Sequence, residues 1–134
     1  MNKILPMILV IFFSNYANAY DERRTKINLI DDYTKCTAFW VITKNGGENT
    51  NDNKLIKIAL HNYQLNQEKA LLLATEIGVK TYTVHAAIIN AHKRMGDEMS
   101  NDFANYPILT NKYLMFCNEL SKDPNSRLEY WREK

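Results

Sequence analysis

The sequence lacks the short motifs that usually identify an enzyme or a metal protein. It has two cysteines, Cys36 and Cys117, which are too few for a structural zinc site and do not form a Cys-x-x-Cys redox pair. No serine lies in a Gly-x-Ser-x-Gly turn, and Gly46-Gly47 lack the lysine of a phosphate-binding loop. We therefore expect no catalytic residues, no metal and no cofactor, and we interpret the protein as non-enzymatic.

The sequence also lacks a strong excess of charge of either sign. It contains 17 Lys and Arg against 15 Asp and Glu, a formal net charge of +2, and the two signs are interspersed along the chain. A dedicated nucleic-acid-binding domain usually has a marked basic excess. The composition therefore argues against a nucleic-acid partner and indicates a solvated surface of mixed charge.

A long hydrophobic run is missing as well. The longest apolar stretch is Ile4–Phe13, which contains Pro6 and is about half the length of the ~20 residues that a membrane-spanning helix needs. Lys3 precedes this stretch, and Ala17-Asn18-Ala19 follows it with small residues at the positions that signal peptidases favour. This layout predicts a cleavable signal peptide over 1–19, a single helical domain over 20–134 and no membrane span after cleavage.

The export signal sets the expected compartment and the state of the cysteines. The mature protein is expected to be periplasmic or secreted, and in such oxidising compartments a lone cysteine pair usually forms a disulfide. We therefore predict a bond between Cys36 and Cys117, which lie 81 positions apart. Closing a loop of this length stabilises a protein by about 4–5 kcal/mol in the loop-entropy description.

Apolar residues recur at three- and four-residue steps through most of the chain, which predicts helices. After a polar lead-in over 20–29, Asp31 or Asp32 caps a first helix that ends near Lys44, before Asn45-Gly46-Gly47 and a polar loop over 45–53. Apolar residues on two of its faces indicate a central position. Further helices are predicted over about 54–77, 81–99 and 107–121, with a short helix or tail over 127–134.

The two cysteines lie on the apolar stripes of the first and fourth predicted helices. A bond between them would therefore join these helices through the core. The predicted fold class is all-α, a small bundle of about four main helices clamped by one disulfide.

The three histidines give little indication of a metal site. His85 and His92 are two turns apart on the third predicted helix, about 10 Å at 1.5 Å per residue, which is too far for both rings to bind one ion. His61 is isolated. We interpret all three as surface or half-buried residues.

The end of the chain carries a candidate interaction surface, formed by Arg127, Tyr130, Trp131 and Arg132. Aromatic side chains beside arginine are favoured at protein interfaces. The polar loop over 45–53 is a second candidate. In an alternative interpretation, Trp131 folds back and covers the end of the bundle.

One short segment resembles a known family. The run Tyr113–Cys117, Tyr-Leu-Met-Phe-Cys, resembles the segment around the late cysteine of the phage spackle proteins, which are periplasmic lysozyme inhibitors. The resemblance covers these few residues, and it implies that an inhibitor role is one to consider.

We expect a small exported helical protein that acts as a non-enzymatic protein-binding or inhibitor module. Its expected partner is another exported or envelope protein. Two alternatives stay open: a carrier that holds a small apolar ligand in the bundle core near Met95 and Met99, and a small enzyme that uses His85 or His92.

Overall fold

The protein is described by a computed structural model that gives the backbone of residues 5–134 and the side chains of residues 18–134. Most of the predicted signal peptide, Met1–Ala19, lies outside the described side chains, so that prediction is not examined by the structure. The regular structure of the described residues is entirely helical. The α-helices are α1 (Leu5–Thr50), α2 (Asn53–Glu76), α3 (Thr81–Glu98), α4 (Tyr106–Leu109), α5 (Met115–Lys122) and α6 (Pro124–Arg132), with a 3-10 turn over Phe103–Asn105 and a π-helical turn over Thr110–Leu114. The predicted all-α fold class is confirmed.

The first helix, α1, lies at the centre of the bundle, as predicted. It packs against α2, α3, α5 and α6. Its residues from Leu29 to Ile42 supply much of the buried core, with Phe39 and Cys36 fully buried. Because nearly every face of this segment is covered, α1 acts as the support on which the other helices are placed.

The predicted start of the first helix is wrong. The segment predicted as a polar lead-in, 20–29, is helical, and Asp31 and Asp32 lie in the interior of α1 rather than at its N-terminus. Asp31 is exposed and pairs with Lys35, one helical turn further on. Asp32 is buried, and its partners are described with the candidate site.

The predicted end of the first helix is also wrong, because α1 continues through both glycines to Thr50. A β-carbon on Gly46 would lie 2.4 Å from the ring of Phe103, and one on Gly47 would lie 2.9 Å from the side chain of Ile56. The glycines therefore allow close approach of neighbouring segments instead of ending the helix. The polar loop expected over 45–53 is reduced to a turn at Asn51 and Asp52.

The second and third helices begin and end close to the predicted positions. Asp52 caps α2, since its carboxylate accepts a hydrogen bond from the backbone N–H of Leu55 at 3.0 Å. Gly78 has φ +71°, a left-handed conformation that suits glycine at the end of a helix. This turn leads directly into α3, which packs against both α1 and α2.

The predicted fourth helix is present but is not a regular α-helix. Pro107 lies in the first turn of α4, and a five-residue π-helical turn over Thr110–Leu114 joins α4 to α5. Leu109, Cys117 and Leu120 are buried along this length. The π-turn contains Lys112 and Tyr113, whose polar contacts are described with the candidate site.

The predicted disulfide is confirmed. Cys36 of α1 and Cys117 of α5 are bonded, with their Cα atoms 5.5 Å apart, and both side chains are fully buried. The bond ties the end of the chain to the central helix, as the positions of the cysteines on the apolar stripes predicted. Because α6 follows α5 after one residue, Asp123, the bond also fixes the position at which α6 begins.

No α-helix formed by the described residues is both long enough and apolar enough to cross a membrane.

Candidate functional site

A cleft lies between α5 and α6. Its volume is about 480 Å³. It is lined by Phe116, Glu119, Leu120, Lys122, Asp123, Ser126, Arg127 and Tyr130. Two of the four residues of the predicted interaction surface, Arg127 and Tyr130, therefore line this cleft.

The turn between α5 and α6 holds the two walls of the cleft in place. The backbone N–H of Asp123 donates to the carbonyl of Glu119 at 2.9 Å, which closes α5. The Asp123 carboxylate then accepts from the backbone N–H of Ser126 at 3.1 Å, and Pro124 occupies the first turn of α6. One residue thus ends one helix and caps the next, so the angle between α5 and α6 is set locally.

A buried carboxylate on α1 anchors α6. The Asp32 carboxylate accepts from Arg127 Nε at 2.7 Å and Nη2 at 3.4 Å, and from the indole N–H of Trp131 at 2.6 Å. The Asp32 side chain is 2% exposed and that of Arg127 is 26% exposed. Because removal of one partner would leave a buried charge unpaired, this contact is expected to fix the position of α6 strongly.

Aromatic rings surround the guanidinium group of Arg127. The group lies 4.2 Å from the ring centroid of Tyr130, 4.8 Å from that of Trp131 and 5.1 Å from that of Phe116. Tyr130 and Trp131 also contact each other edge to face, with centroids 5.0 Å apart. Arg127 is thus held by a carboxylate on one side and by aromatic faces on the others. We refer to Asp32, Arg127, Tyr130 and Trp131 as the α6 anchor cluster.

Arg132, the fourth residue of the predicted surface, points to a different set of partners. Its guanidinium donates to Glu22 of α1 and to Glu129 of α6. The hydrogen bonds to Glu22 and then to Glu129 raise the pKa of Arg132 above its already high ordinary value. This exposed residue therefore stays charged and adds a second link between α6 and α1.

The structure favours the alternative interpretation of Trp131. The tryptophan folds back against α1, and its N–H group is used by Asp32. Tyr130, by contrast, is 41% exposed at the edge of the cleft. Within the predicted surface, Trp131 therefore holds the helix in place and Tyr130 is the aromatic residue available to a partner.

Sequence reasoning missed Asp32 as a member of this cluster. The sequence suggests a helix N-terminus at Asp31 and Asp32, because aspartate caps helices and its negative charge suits that end. Its distance of four residues from Cys36 places it on the buried stripe of α1, and this phase was the available signal. An acidic residue on a buried stripe requires a cationic or hydrogen-bonding partner from elsewhere in the chain.

A second polar cluster lies at the π-turn. The Glu98 carboxylate accepts from Lys112 Nζ at 2.9 Å and from the Tyr113 hydroxyl at 2.9 Å. Lys112 and Tyr113 are adjacent in the π-turn, and both side chains reach the same carboxylate. Burial raises the pKa of Tyr113, and Lys112 partly opposes this shift.

The three histidines lie at the surface. His61, His85 and His92 are all exposed, and no group of three or more His, Cys, Asp or Glu side chains among residues 18–134 is placed to hold a metal ion. His92 lines a small cleft of about 170 Å³ that also contacts Met99 and Phe103.

Comparison with known proteins gives no functional assignment. The chain matches no protein-family model, and neither the curated proteins nor the solved structures yield a significant match.

Proposed function

We propose that this protein is an exported, non-enzymatic binding module that recognises another exported or envelope protein, and that it acts as an inhibitor or adaptor of that partner. The proposed contact surface is the α5–α6 cleft with Tyr130 at its edge. The observation that carries this proposal is the exposed Tyr130 ring, which is stacked on an arginine that a buried aspartate holds in position.

Preorganisation is the physical reason for choosing this surface. Tyrosine and arginine are enriched among the residues that dominate binding energy at protein interfaces. Ordering a flexible side chain on binding costs about 0.5–1.5 kcal/mol, and a side chain that is already held avoids much of this cost. Arg127 is fixed by Asp32, and Tyr130 packs on Arg127 and Trp131, so this surface is ordered before any partner arrives.

The chemistry of the cleft is that expected for a protein side chain. Its floor is apolar at Phe116 and Leu120, whereas Glu119 and Lys122 place charges of both signs on its walls. An apolar centre with a polar rim is the usual anatomy of a protein interface. We infer that the cleft accepts an apolar side chain of the partner while charged groups at the rim set its orientation.

An exported location supports this role. Residues Met1–Ala19 have the layout of a signal peptide, and the disulfide is compatible with an oxidising compartment, periplasmic or extracellular. Cleavage after Ala19 would start the mature chain at Tyr20 and place Asp21 and Glu22 in the first turn of α1, where negative charge stabilises a helix.

The test is capture of the partner by the oxidised protein from an extract of its own exported compartment. Two variants make the experiment specific: Tyr130→Ala removes the proposed anchor, and Tyr82→Ala is the matched control because Tyr82 is an exposed tyrosine of α3. We expect one stoichiometric protein partner that Tyr82→Ala retains and that Tyr130→Ala binds about tenfold or more weakly.

The outcomes separate the two parts of the proposal. Equal binding of the partner by both variants would show that the α5–α6 cleft is not the contact surface. If no stoichiometric partner binds the unchanged protein, the protein-binding function itself is wrong. Thermal unfolding of Tyr130→Ala shows whether α6 stays docked, so that loss of binding is not mistaken for loss of structure.

A further inference from the structure

A second concave surface lies on another side of the molecule, between α1 and the start of α3. It has a volume of about 330 Å³. It is lined by Ile27, Ile30, Asp31, Val79, Thr83, Val84 and Ala87. Ile30 and Val84 are buried, and Ile27 is 44% exposed, so the groove has an apolar floor and an apolar edge that is open to solvent.

The single acidic side chain in this groove is already neutralised. Asp31 forms an ion pair with Lys35 at 2.5 Å. Thr83 is the other polar residue that lines the groove. The remaining lining is aliphatic, which suits a hydrocarbon chain rather than a polar ligand.

Two basic side chains, Arg23 and Lys80, lie close to the Val79 end of the groove in the chain or through a backbone contact, and neither has an acidic partner among the described residues. Arg23 donates to the backbone carbonyl of Ile77, two residues before Val79. Lys80 follows Val79 directly, and neither cation forms an ion pair with any side chain in the described part of the chain. The sequence from 77 to 96 contains no aspartate or glutamate. Glu76, directly before this range, is paired with Lys26, so Arg23 and Lys80 are left as the unpaired charges close to Val79.

We propose that the groove binds a small anionic amphiphile, with its alkyl chain along the aliphatic residues and its acidic head group at Arg23 and Lys80. Val84 and Ala87 of α3 and Ile27 and Ile30 of α1 form two apolar walls between which an alkyl chain can lie. Apolar lining accounts for the chain, and charge complementarity accounts for the head group. This proposal does not depend on the α5–α6 cleft.

This site differs from the ligand site expected from the sequence. That hypothesis used the bundle core near Met95 and Met99, whose side chains are 1% and 5% exposed and packed with the other core residues. The α1–α3 groove is open at the surface. A ligand can therefore enter it without disruption of the core packing.

The test uses decanoate as the probe and the oxidised full chain, expressed with its N-terminal segment so that the cell can process it. Binding is measured by calorimetry and by NMR shifts of the methyl groups of Ile27, Val79 and Ala87. We expect saturable binding of one decanoate per chain, with shifts centred on these residues. Decyltrimethylammonium, which has the same chain and the opposite charge, should bind about tenfold more weakly.

Two adjacent alanines of α3 provide matched variants. Ala87→Phe places a ring in the groove and should abolish decanoate binding, whereas Ala86→Phe adds the same ring at a neighbouring exposed position that does not line it. Thr83→Phe, at an exposed lining residue, repeats the block if Ala87→Phe fails to fold. The double variant Arg23→Gln with Lys80→Gln should weaken decanoate about tenfold and leave decanol unchanged.

Several results would overturn the proposal. It is wrong if decanoate binding does not saturate, if Ala86→Phe and the groove-blocking variants bind equally, or if decyltrimethylammonium binds as tightly as decanoate. An acidic amphipathic peptide that binds when decanoate does not, and that Ala87→Phe excludes, would assign the groove to a protein partner and also overturn it.

Discussion

Two carboxylates of this protein hold distant segments together by similar contacts in very different surroundings. Asp32 accepts from Arg127 and Trp131, and Glu98 accepts from Lys112 and Tyr113. The Asp32 side chain is 2% exposed, whereas that of Glu98 is 28% exposed. Water can replace a lost partner at Glu98 but not at Asp32, so similar geometry should have unequal energetic consequences.

The largest expected effect comes from removal of the buried carboxylate. Asp32→Ala leaves Arg127 and the Trp131 N–H without their shared acceptor, and we expect a loss of about 3–5 kcal/mol in the free energy of unfolding. The matched control is Asp31→Ala, the neighbouring exposed aspartate, which should cost about 1 kcal/mol or less. Urea unfolding of the oxidised proteins measures both, and equal losses would contradict the distinction.

A smaller effect is expected when only one donor to Asp32 is removed. Trp131→Phe keeps most of the aromatic packing and the contact of Arg127 with Asp32, but it deletes the indole N–H. We expect a loss of about 1–3 kcal/mol, because one buried acceptor position becomes unsatisfied. Thermal unfolding followed by circular dichroism measures the change, and an unaltered midpoint would show that the Trp131 hydrogen bond adds nothing to the docking of α6.

Removal of the charge on the more exposed carboxylate, Glu98, should have a smaller effect on stability still. Glu98→Gln preserves shape and a hydrogen-bond acceptor but removes the charge that pairs with Lys112, whose side chain is 56% exposed. We expect a loss of about 1 kcal/mol or less, which should decrease further at high salt. A loss as large as that of Asp32→Ala would mean that burial does not explain the difference between the clusters.

The smallest effect concerns the tyrosines beside the two carboxylates at alkaline pH. Burial, with the nearby Asp32 charge, raises the pKa of Tyr33 above its ordinary value of 10. Burial also raises the pKa of Tyr113, and Lys112 partly opposes this shift. Both phenols stay neutral in the folded protein at pH values where they ionise in the unfolded chain. The stabilisation that they contribute is therefore complete below pH 10 and is lost as the pH rises through their pKa values in the folded protein.

Tyrosine-to-phenylalanine variants separate the two contributions to this alkaline loss. Tyr33→Phe should reduce the loss of stability above pH 10 more than Tyr113→Phe, because Tyr33 is nearly fully buried and has no opposing cation. Urea unfolding at pH 8 and above pH 10 measures both variants. An unchanged alkaline loss in Tyr33→Phe would contradict the assignment to this phenol.

Local signals in the sequence were sufficient for much of the fold. Asp52 at the start of α2, Gly78 at its end and Pro107 at the start of α4 act on their immediate neighbours, and their roles follow from backbone chemistry alone. The disulfide was predictable because both cysteines lie on apolar stripes. Such features need no knowledge of which segments meet in space.

The errors arose where a distant segment changes the meaning of a local signal. Gly46 and Gly47 suggest a helix end until Phe103 and Ile56 are placed against them. Asp32 suggests a helix cap until Arg127, 95 positions away, lies beside it. The composition of the chain end is enough to indicate the predicted interaction surface. Only the contact with α1 shows that Trp131 is a structural residue and that Tyr130 is the exposed one.

The positions of the two cysteines have a consequence for biosynthesis. A ribosome completes α1, with Cys36, long before it reaches Cys117 in α5, so the central helix of the bundle waits for its covering segments with a free thiol. With no third cysteine in the chain, no wrong pairing within one molecule is possible. Pairing errors between these two cysteines then require a bond between two chains, so we expect the yield of oxidised monomer to fall as the protein concentration rises during oxidative refolding.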